Sequence, residues 1–173
     1  KVPAESLYGS QTQRAVENFP ISNNVFLSEF IHSIIIVKRS AAIVNHKLQL
    51  LDSKTKDSIV SASDELLSGN YSEHFPVDIF QTGSGTSTNM NVNEVIANLA
   101  NKNCNDSNSN IHPNDHVNMG QSSNDTIPTA INISVAMMLS NSLIPNISKL
   151  IKQFKNKEKE FLGILKLGRT HLQ

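Results

Sequence analysis

The chain has 173 residues, which is enough for one domain with a substantial core, or for one domain and part of another. Its 15 Lys and Arg balance 15 Asp and Glu, so no net field attracts nucleic acid or an anionic membrane, and any anionic ligand must be bound by local groups. The single cysteine, Cys104, excludes an internal disulfide. This cysteine usage fits a reducing, intracellular setting best. No run reaches the roughly 18 consecutive apolar residues of a membrane span, so we expect a soluble protein.

In the first half of the chain, apolar residues between positions 27 and 51 recur at alternating steps of three and four. This pattern predicts a long helix with a heptad seam, and Lys38 lies off that seam. The seam residues are Leu27, Phe30, Ile34, Val37, Ala41, Val44, Leu48 and Leu51. A second helix is predicted from Ser53 to a stop at Gly69, and residues 74–83 are interpreted as an extended connection.

In the second half, helical spacing of apolar residues resumes from Thr86 to Ala100. The polar stretch 101–110 is interpreted as a loop. A further apolar helix is predicted from about Ile127, with a kink or restart at Pro145, because proline removes a backbone donor. The sequence therefore predicts an all-α fold of long helices with little strand.

Two dense polar clusters, "QTGSGTSTNMNVNE" at 81–94 and "HPNDHVNMGQSSND" at 112–125, each lead into an apolar helix. The first N–H groups of a helix lack internal partners and lie at the positive end of its dipole, so they bind carboxylate or phosphate. Two such helix starts that face one cavity would hold both ends of a small dicarboxylate. The side chains that add donors there are Ser84, Thr86, Ser122, Ser123 and Asn124.

The alternative for either cluster alone is ordinary helix capping, since Ser, Thr and Asn are common N-caps. A phosphate loop is excluded because "GSGTST" lacks the Gly-Lys pair of that motif. Among the histidines, His112 near Asp115 and His171 after Thr170 belong to polar groups at element boundaries, where a histidine can exchange protons near neutral pH. None of the histidines has the i, i+4 helix spacing of a zinc pair, and no metal site is predicted.

Four segments together closely resemble class II fumarate hydratase of the fumarase/aspartase superfamily. They are "VPAESLYGSQTQRAVENF" at 2–19, "QTGSGTSTNMNVNEVIANLA" at 81–100, "HPNDHVNMGQSSNDTIPTA" at 112–130 and "GRTHLQ" at 168–173. The resemblance implies an all-α lyase that reversibly hydrates fumarate to L-malate, a citric acid cycle reaction, without metal or cofactor. It also implies a homotetramer whose active sites each draw on three subunits, with no nucleic acid or membrane partner. Residues 1–119 would be the N-terminal domain, and residues 120–173 the start of the central helical bundle.

The resemblance assigns roles to individual residues in three substrate loops. His171 would act in acid-base chemistry through the reacting water, and it would need a carboxylate partner that the sequence does not identify. The substrate-binding residues would be Ser84, Gly85 and Thr86 in the first loop, Ser122, Ser123 and Asn124 in the second, and Thr170 in the third.

Two departures from the family pattern affect what we expect of this chain. A second dicarboxylate site would use His112, Pro113, Asn114 and Asp115, but Ser109 stands where the family often has an arginine, so weaker binding is expected. The alternative is that His112 and Asp115 only organise a loop.

The family's signature loop, with its Ser, Lys and Asn, would lie beyond Gln173. The chain also opens at Lys1, so we expect a fragment that is inactive alone.

Two other functions remain open. Aspartate ammonia-lyase shares the "GTSTNMN" type of loop, although "GSQTQR", "QTGSGT" and "HPND" favour the fumarase side. A non-catalytic structural relative would keep the scaffold but lose the downstream Ser or Lys. A bacterial cytoplasm and a mitochondrial matrix are equally compatible with the residues.

Overall fold

The computed structural model describes residues 1–104 and 110–168. Short 3-10 turns at Ser72–His74 and Gly83–Gly85 and π-helical turns at Pro113–Val117 and Leu139–Leu143 join the α-helices. The described part contains no strand, only an isolated antiparallel bridge between Val25 and Asp78, which confirms the all-α prediction. The α-helices are α1 Ser10–Asn18, α2 Ser28–Lys47, α3 Ser53–Ser68, α4 Thr86–Asn103, α5 Ser123–Met138 and α6 Ile144–Phe161.

The chain divides into two compact units, residues 1–134 and residues from Val135 onward. In the first unit, α2, α3 and α4 pack against one another, and α1 packs against α4. Their apolar faces form one core, which includes Ile34, Ile35, Ile59, Leu66, Val92, Val95 and Ile96. The predicted domain boundary between residues 119 and 120 stays a prediction.

The caps of α3 show why this helix could be located from the sequence. Asp52 precedes the helix, and its carboxylate accepts a hydrogen bond from the Thr55 N–H at 2.9 Å. Gly69 ends the helix, and its N–H donates to the Glu65 carbonyl at 2.9 Å. The predicted limits at Ser53 and Gly69 are therefore confirmed.

The seam predicted for α2 is wrong at several positions. Phe30 and Ile34 are buried as expected, but the predicted seam residues Leu27, Val44 and Leu48 are 64%, 51% and 62% exposed. The buried face continues instead through Lys38, Ala42 and Asn45. Polar side chains tolerate this position because each finds a partner there: Lys38 bonds to Asn118, and the Asn45 amide donates to the Met119 carbonyl at 3.0 Å.

Glu94 on α4 ties the start of α1 to the core. Its carboxylate accepts hydrogen bonds from the N–H groups of Gly9, Gln11 and Thr12 at 2.9 to 3.0 Å, and from the Thr12 hydroxyl at 2.7 Å. These N–H groups are the orphan donors at the positive end of α1, so a buried carboxylate satisfies both their hydrogen bonds and the helix dipole. Glu94 is only 6% exposed.

Asp78 organises the extended connection before the first polar cluster. Its carboxylate accepts from the N–H groups of Ser22 at 2.6 Å, Asn23 at 2.8 Å and Phe80 at 2.8 Å. Desolvation raises the pKa of Asp78, but the hydrogen bonds from Phe80, Ser22 and Asn23 outweigh it and hold the pKa at about 2.

This low pKa predicts a pH-dependent contribution to stability. The unfolded-state pKa of Asp is about 3.9, so the Asp78 contribution is fully present above that pH and is lost as the pH falls towards about 2. We expect Asp78→Asn in the full-length protein to lower the stability at pH 7, and then to lose less additional stability than the wild type between about pH 4 and pH 2. Thermal denaturation followed by circular dichroism measures both effects. If the wild type and the variant lose equal stability between about pH 4 and pH 2, Asp78 does not contribute to the pH dependence of stability.

The second unit contains the end of α5, the π-helical turn Leu139–Leu143, and α6. Pro145 lies in the first turn of α6, directly after the π-helical turn, so the predicted kink or restart takes the form of a local change in helix type. Many large apolar side chains of α6 are exposed, including Ile147, Leu150, Ile151 and Phe154.

The helical stretch Ser123–Phe161 is long and apolar enough to cross a membrane by length and composition alone. Only 11% of its most apolar 18-residue window is buried. A helix from the centre of a soluble bundle has the same length and composition, so this finding is weak evidence for a membrane span. It does show that the apolar surface of this stretch lacks cover within the described residues.

Candidate functional site

The first polar loop reaches α4 through two consecutive residues with left-handed backbone. Ser84 has φ of 64° and Gly85 has φ of 66°. Gly85 suits this position for two reasons, because a side chain is strained at this φ and because a Cβ atom there would lie 3.0 Å from Ile127 Cδ1. Such strained backbone often occurs where a loop presents groups to a ligand.

Gln81 caps α4 from the preceding loop. Its side-chain carbonyl accepts from the Thr88 N–H at 2.9 Å, and its amide donates to the Thr88 hydroxyl at 2.6 Å. The residues before Thr88, at the very start of the helix, are not engaged by this cap. No role was predicted for Gln81 from the sequence, although it is the first residue of the cluster at 81–94.

The second polar cluster begins α5 in a comparable way. Ser122 precedes the helix, and its hydroxyl accepts from the Asn124 N–H at 3.2 Å. Its backbone carbonyl accepts from the Thr126 N–H at 2.9 Å. The capping interpretation is therefore correct for the Ser122 side chain, whereas Ser123 is free to project its hydroxyl elsewhere.

The two helix starts meet through their hydroxyl groups. Thr86 Oγ1 lies 3.1 Å from Ser123 Oγ and 3.1 Å from Ser84 Oγ, which links both clusters in one short chain of hydroxyls. Ser84 and Thr86 are exposed and Ser123 is half-buried, so the chain is open to a ligand. Three adjacent hydroxyls beside two helix N-termini can donate to the oxygens of a carboxylate.

A cleft of about 570 Å³ adjoins the first loop. Its walls are largely apolar, and none of its lining residues is a Lys, Arg or His. Ser84 lines the cleft, whereas Thr86 and Ser123 are not among its lining residues. A dicarboxylate bound in the cleft would meet no cationic side chain there, so its charge would have to be neutralised by cations from other parts of the protein. The cleft is lined by Phe26, Phe30, Ile79, Phe80, Gln81, Thr82, Gly83, Ser84, Gly85, Ile127 and Ile131.

The "HPND" box forms a compact turn of its own. His112 Nδ1 accepts from the Asp115 N–H at 3.3 Å and lies 3.1 Å from Asp115 Oδ2, while the His112 N–H donates to His116 Nδ1 at 2.8 Å. His112 and Asp115 therefore do organise the Pro113–Val117 turn. No described hydrogen bond links them to Thr86 or Ser123. The second dicarboxylate site, with Pro113 and Asn114, stays a prediction.

The third predicted loop lies outside the described residues. Thr170 and His171 belong to the segment 169–173, and Ser109 belongs to the segment 105–109. The predicted roles of Thr170 and His171, and the weaker binding attributed to Ser109, therefore stay predictions.

Comparison with known proteins places the chain in a family. A family model described as "Lyase" matches residues 1–173, the whole sequence. The chain belongs to this lyase family. The hydroxyl chain between α4 and α5 is therefore part of a member of a lyase family.

The chain is similar to a protein named class II fumarate hydratase from Wigglesworthia glossinidia brevipalpis, with 52% identity over 100% of this chain and 38% of the relative. The crystal structure of recombinant class II fumarase from Schistosoma mansoni matches with a TM-score of 0.91 and 44% identity, over 99% of this chain and 37% of that one. A structure of fumarate lyase:delta crystallin from Brucella melitensis matches with a TM-score of 0.92 and 41% identity, over 99% and 41%. The chain thus spans less than half the length of these proteins.

Proposed function

We propose that this chain is the N-terminal part of a class II fumarate hydratase, which in its complete form interconverts fumarate and L-malate. The observation that supports this most directly is the 3.1 Å contact between Thr86 Oγ1 and Ser123 Oγ, which joins two helix starts in one anion-binding position. Membership of the lyase family and 52% identity to a protein of that name support the same function.

The reaction explains why hydroxyls and helix starts are needed. When L-malate loses water, a proton leaves the carbon next to one carboxylate and the hydroxyl leaves the neighbouring carbon as water. Removal of that proton builds negative charge on the adjacent carboxylate, so preorganised donors that meet the charge lower the barrier. In this proposal Ser84, Thr86 and Ser123 supply such donors, with Ser122 and Asn124 holding the start of α5. Thr170 and His171 complete the third loop.

The remaining parts of the site come from outside this chain. The cleft lining contains no cationic side chain, whereas a dicarboxylate has two negative charges to neutralise. The exposed apolar side chains of α6 need cover. Both features suit a homotetramer with a shared helical bundle and shared active sites, in which a downstream loop supplies the lysine. The proposal places the enzyme in a bacterial cytoplasm or a mitochondrial matrix, without a nucleic acid or membrane partner.

The test is to supply the complete enzyme with L-malate and L-aspartate separately and to follow fumarate by its ultraviolet absorbance. Release of fumarate from L-malate is the expected result. Release from L-aspartate alone would contradict the proposal and favour aspartate ammonia-lyase. Release from neither, in a correctly assembled protein, would favour a structural relative.

The Ser123 hydroxyl provides a second, local test. In the full-length enzyme, Ser123→Ala removes one neutral donor to the substrate, and we expect KM for L-malate to rise by about tenfold because a hydrogen bond contributes roughly 1 to 1.5 kcal/mol. Ser68→Ala is the matched control, since among the described residues the Ser68 hydroxyl bonds only to the Asp64 and Glu65 carbonyls of its own helix. Unchanged kinetics in Ser123→Ala would mean that the Ser123 hydroxyl does not bind the substrate.

A further inference from the structure

Lys38 is the largest fully buried side chain among the described residues. Its ammonium Nζ donates to Asn118 Oδ1 at 2.7 Å, and no described carboxylate forms an ion pair with it. Burial lowers the pKa of Lys38 to about 7. Burying an amine without a carboxylate partner costs free energy. We therefore ask what function the buried Lys38 serves.

Asn118 connects Lys38 to the segment that leads into α5. Besides Lys38, Asn118 Oδ1 accepts from the Asn89 side-chain amide at 3.2 Å, and the Asn118 amide donates to the Gln121 carbonyl at 3.1 Å. The orientation of this one amide is therefore fixed from α2, from α4 and from the chain that follows it. If the lysine donor is lost, the oxygen keeps only the longer Asn89 bond.

Asn118 belongs to the connecting turn, residues 117–121, which joins the "HPND" box to the start of α5. The turn is held at further points: the Asn45 amide donates to the Met119 carbonyl at 3.0 Å, and the Gln121 amide donates to the Val117 carbonyl at 3.0 Å. The next residues along the chain are Ser122 and Ser123. The placement of the α5 start therefore depends on the connecting turn, and the turn is anchored to α2.

We propose that Lys38 is a positioning residue of the candidate site, which through Asn118 holds the connecting turn and thereby keeps the Ser123 hydroxyl against Thr86. This inference rests on the proposed function. No described hydrogen bond joins Lys38 to the site hydroxyls, so its effect passes through Asn118. A displacement of about 1 Å in a binding group can cost up to about 100-fold in rate, which makes the effect measurable.

The test is Lys38→Met in the full-length enzyme, with kcat and KM measured for L-malate. Methionine keeps the volume and removes the charge and the donor. We expect kcat/KM to fall by about 10-fold to 100-fold, mainly through KM. Arg39→Met is the matched control, because Arg39 is the next residue on the same helix but forms an exposed ion pair with Asp64. The control should have wild-type KM.

Asn118→Ala provides a second route, because Asn118 is half-buried whereas Lys38 is fully buried. It should raise KM to a similar extent. The double variant should lose no more than Asn118→Ala alone, since that change already removes the hydrogen bond from Lys38 together with the two other bonds of the Asn118 amide. Additive losses, or Lys38→Met with a lower melting temperature but wild-type KM, would overturn the proposal in favour of a purely structural lysine. An inactive wild type contradicts the proposed function and this inference with it, whereas an active wild type with unaffected variants contradicts the inference alone.

Discussion

Replacement of His171 by alanine in the full-length enzyme is expected to lower turnover of L-malate by about two to four orders of magnitude, the usual effect of losing a positioned acid-base group. The expectation rests on the resemblance of "GRTH" to the third substrate loop, since His171 lies outside the described residues. Steady-state kinetics in both directions measure the effect. A large loss of kcat with little change in KM is the predicted pattern, because the histidine acts on the reacting water rather than on a carboxylate.

His32 supplies the control for this experiment. It lies on α2, is half-buried, and lines a different cleft from the one beside the first polar loop. His32→Ala should leave kcat nearly unchanged, which shows that loss of a histidine as such is harmless. If His171→Ala retains near-wild-type turnover in the same assay, His171 has no part in the mechanism.

The largest effect on stability is expected for Glu94→Ala. This change removes the acceptor of four hydrogen bonds at the start of α1, and leaves the N–H groups of Gly9, Gln11 and Thr12 without their partner. Loss of a buried charged acceptor costs about 3 kcal/mol or more, so the full-length protein should melt several degrees lower. Differential scanning calorimetry of the wild type and the variant measures the difference.

Glu17 on α1 is the matched control, because its side chain is exposed and its one hydrogen bond within the described residues comes from the Gln13 amide at 2.9 Å. Glu17→Ala should change the stability by less than about 0.5 kcal/mol. Equal melting temperatures for Glu94→Ala and the wild type would mean that water replaces the carboxylate at the start of α1 without cost, contrary to what its burial implies.

The parts of the fold that could be predicted from sequence are those set by local signals. The limits of α3 follow from the Asp52 cap and the Gly69 stop, which lie next to the helix in sequence. The start of α4 follows from "GSGT", where Gly85 permits left-handed backbone. The sequence predicted only that two helix starts facing one cavity would hold the two ends of a dicarboxylate. It did not predict that Thr86 and Ser123, 37 residues apart, would lie 3.1 Å from each other.

The burial of Lys38 and Asn45 could not be predicted in this way. A helical pattern assigns lysine and asparagine to the solvated face, and only their partners at residues 118 and 119, far along the chain, make burial acceptable. Gln81 was missed for a related reason, since its bonds to Thr88 depend on how the loop folds back onto α4. Buried polar residues that position a site through long-range hydrogen bonds follow no periodic pattern in the sequence.

In the proposed function the starts of α4 and α5 form one carboxylate-binding position. A crystal structure of the complete enzyme with fumarate or L-malate bound would show whether the substrate occupies that position. We predict a substrate carboxylate within hydrogen-bond distance of both Thr86 Oγ1 and Ser123 Oγ, at the point where these hydroxyls now lie 3.1 Å apart. A dicarboxylate bound elsewhere, with Thr86 and Ser123 still bonded only to each other, would contradict the claim.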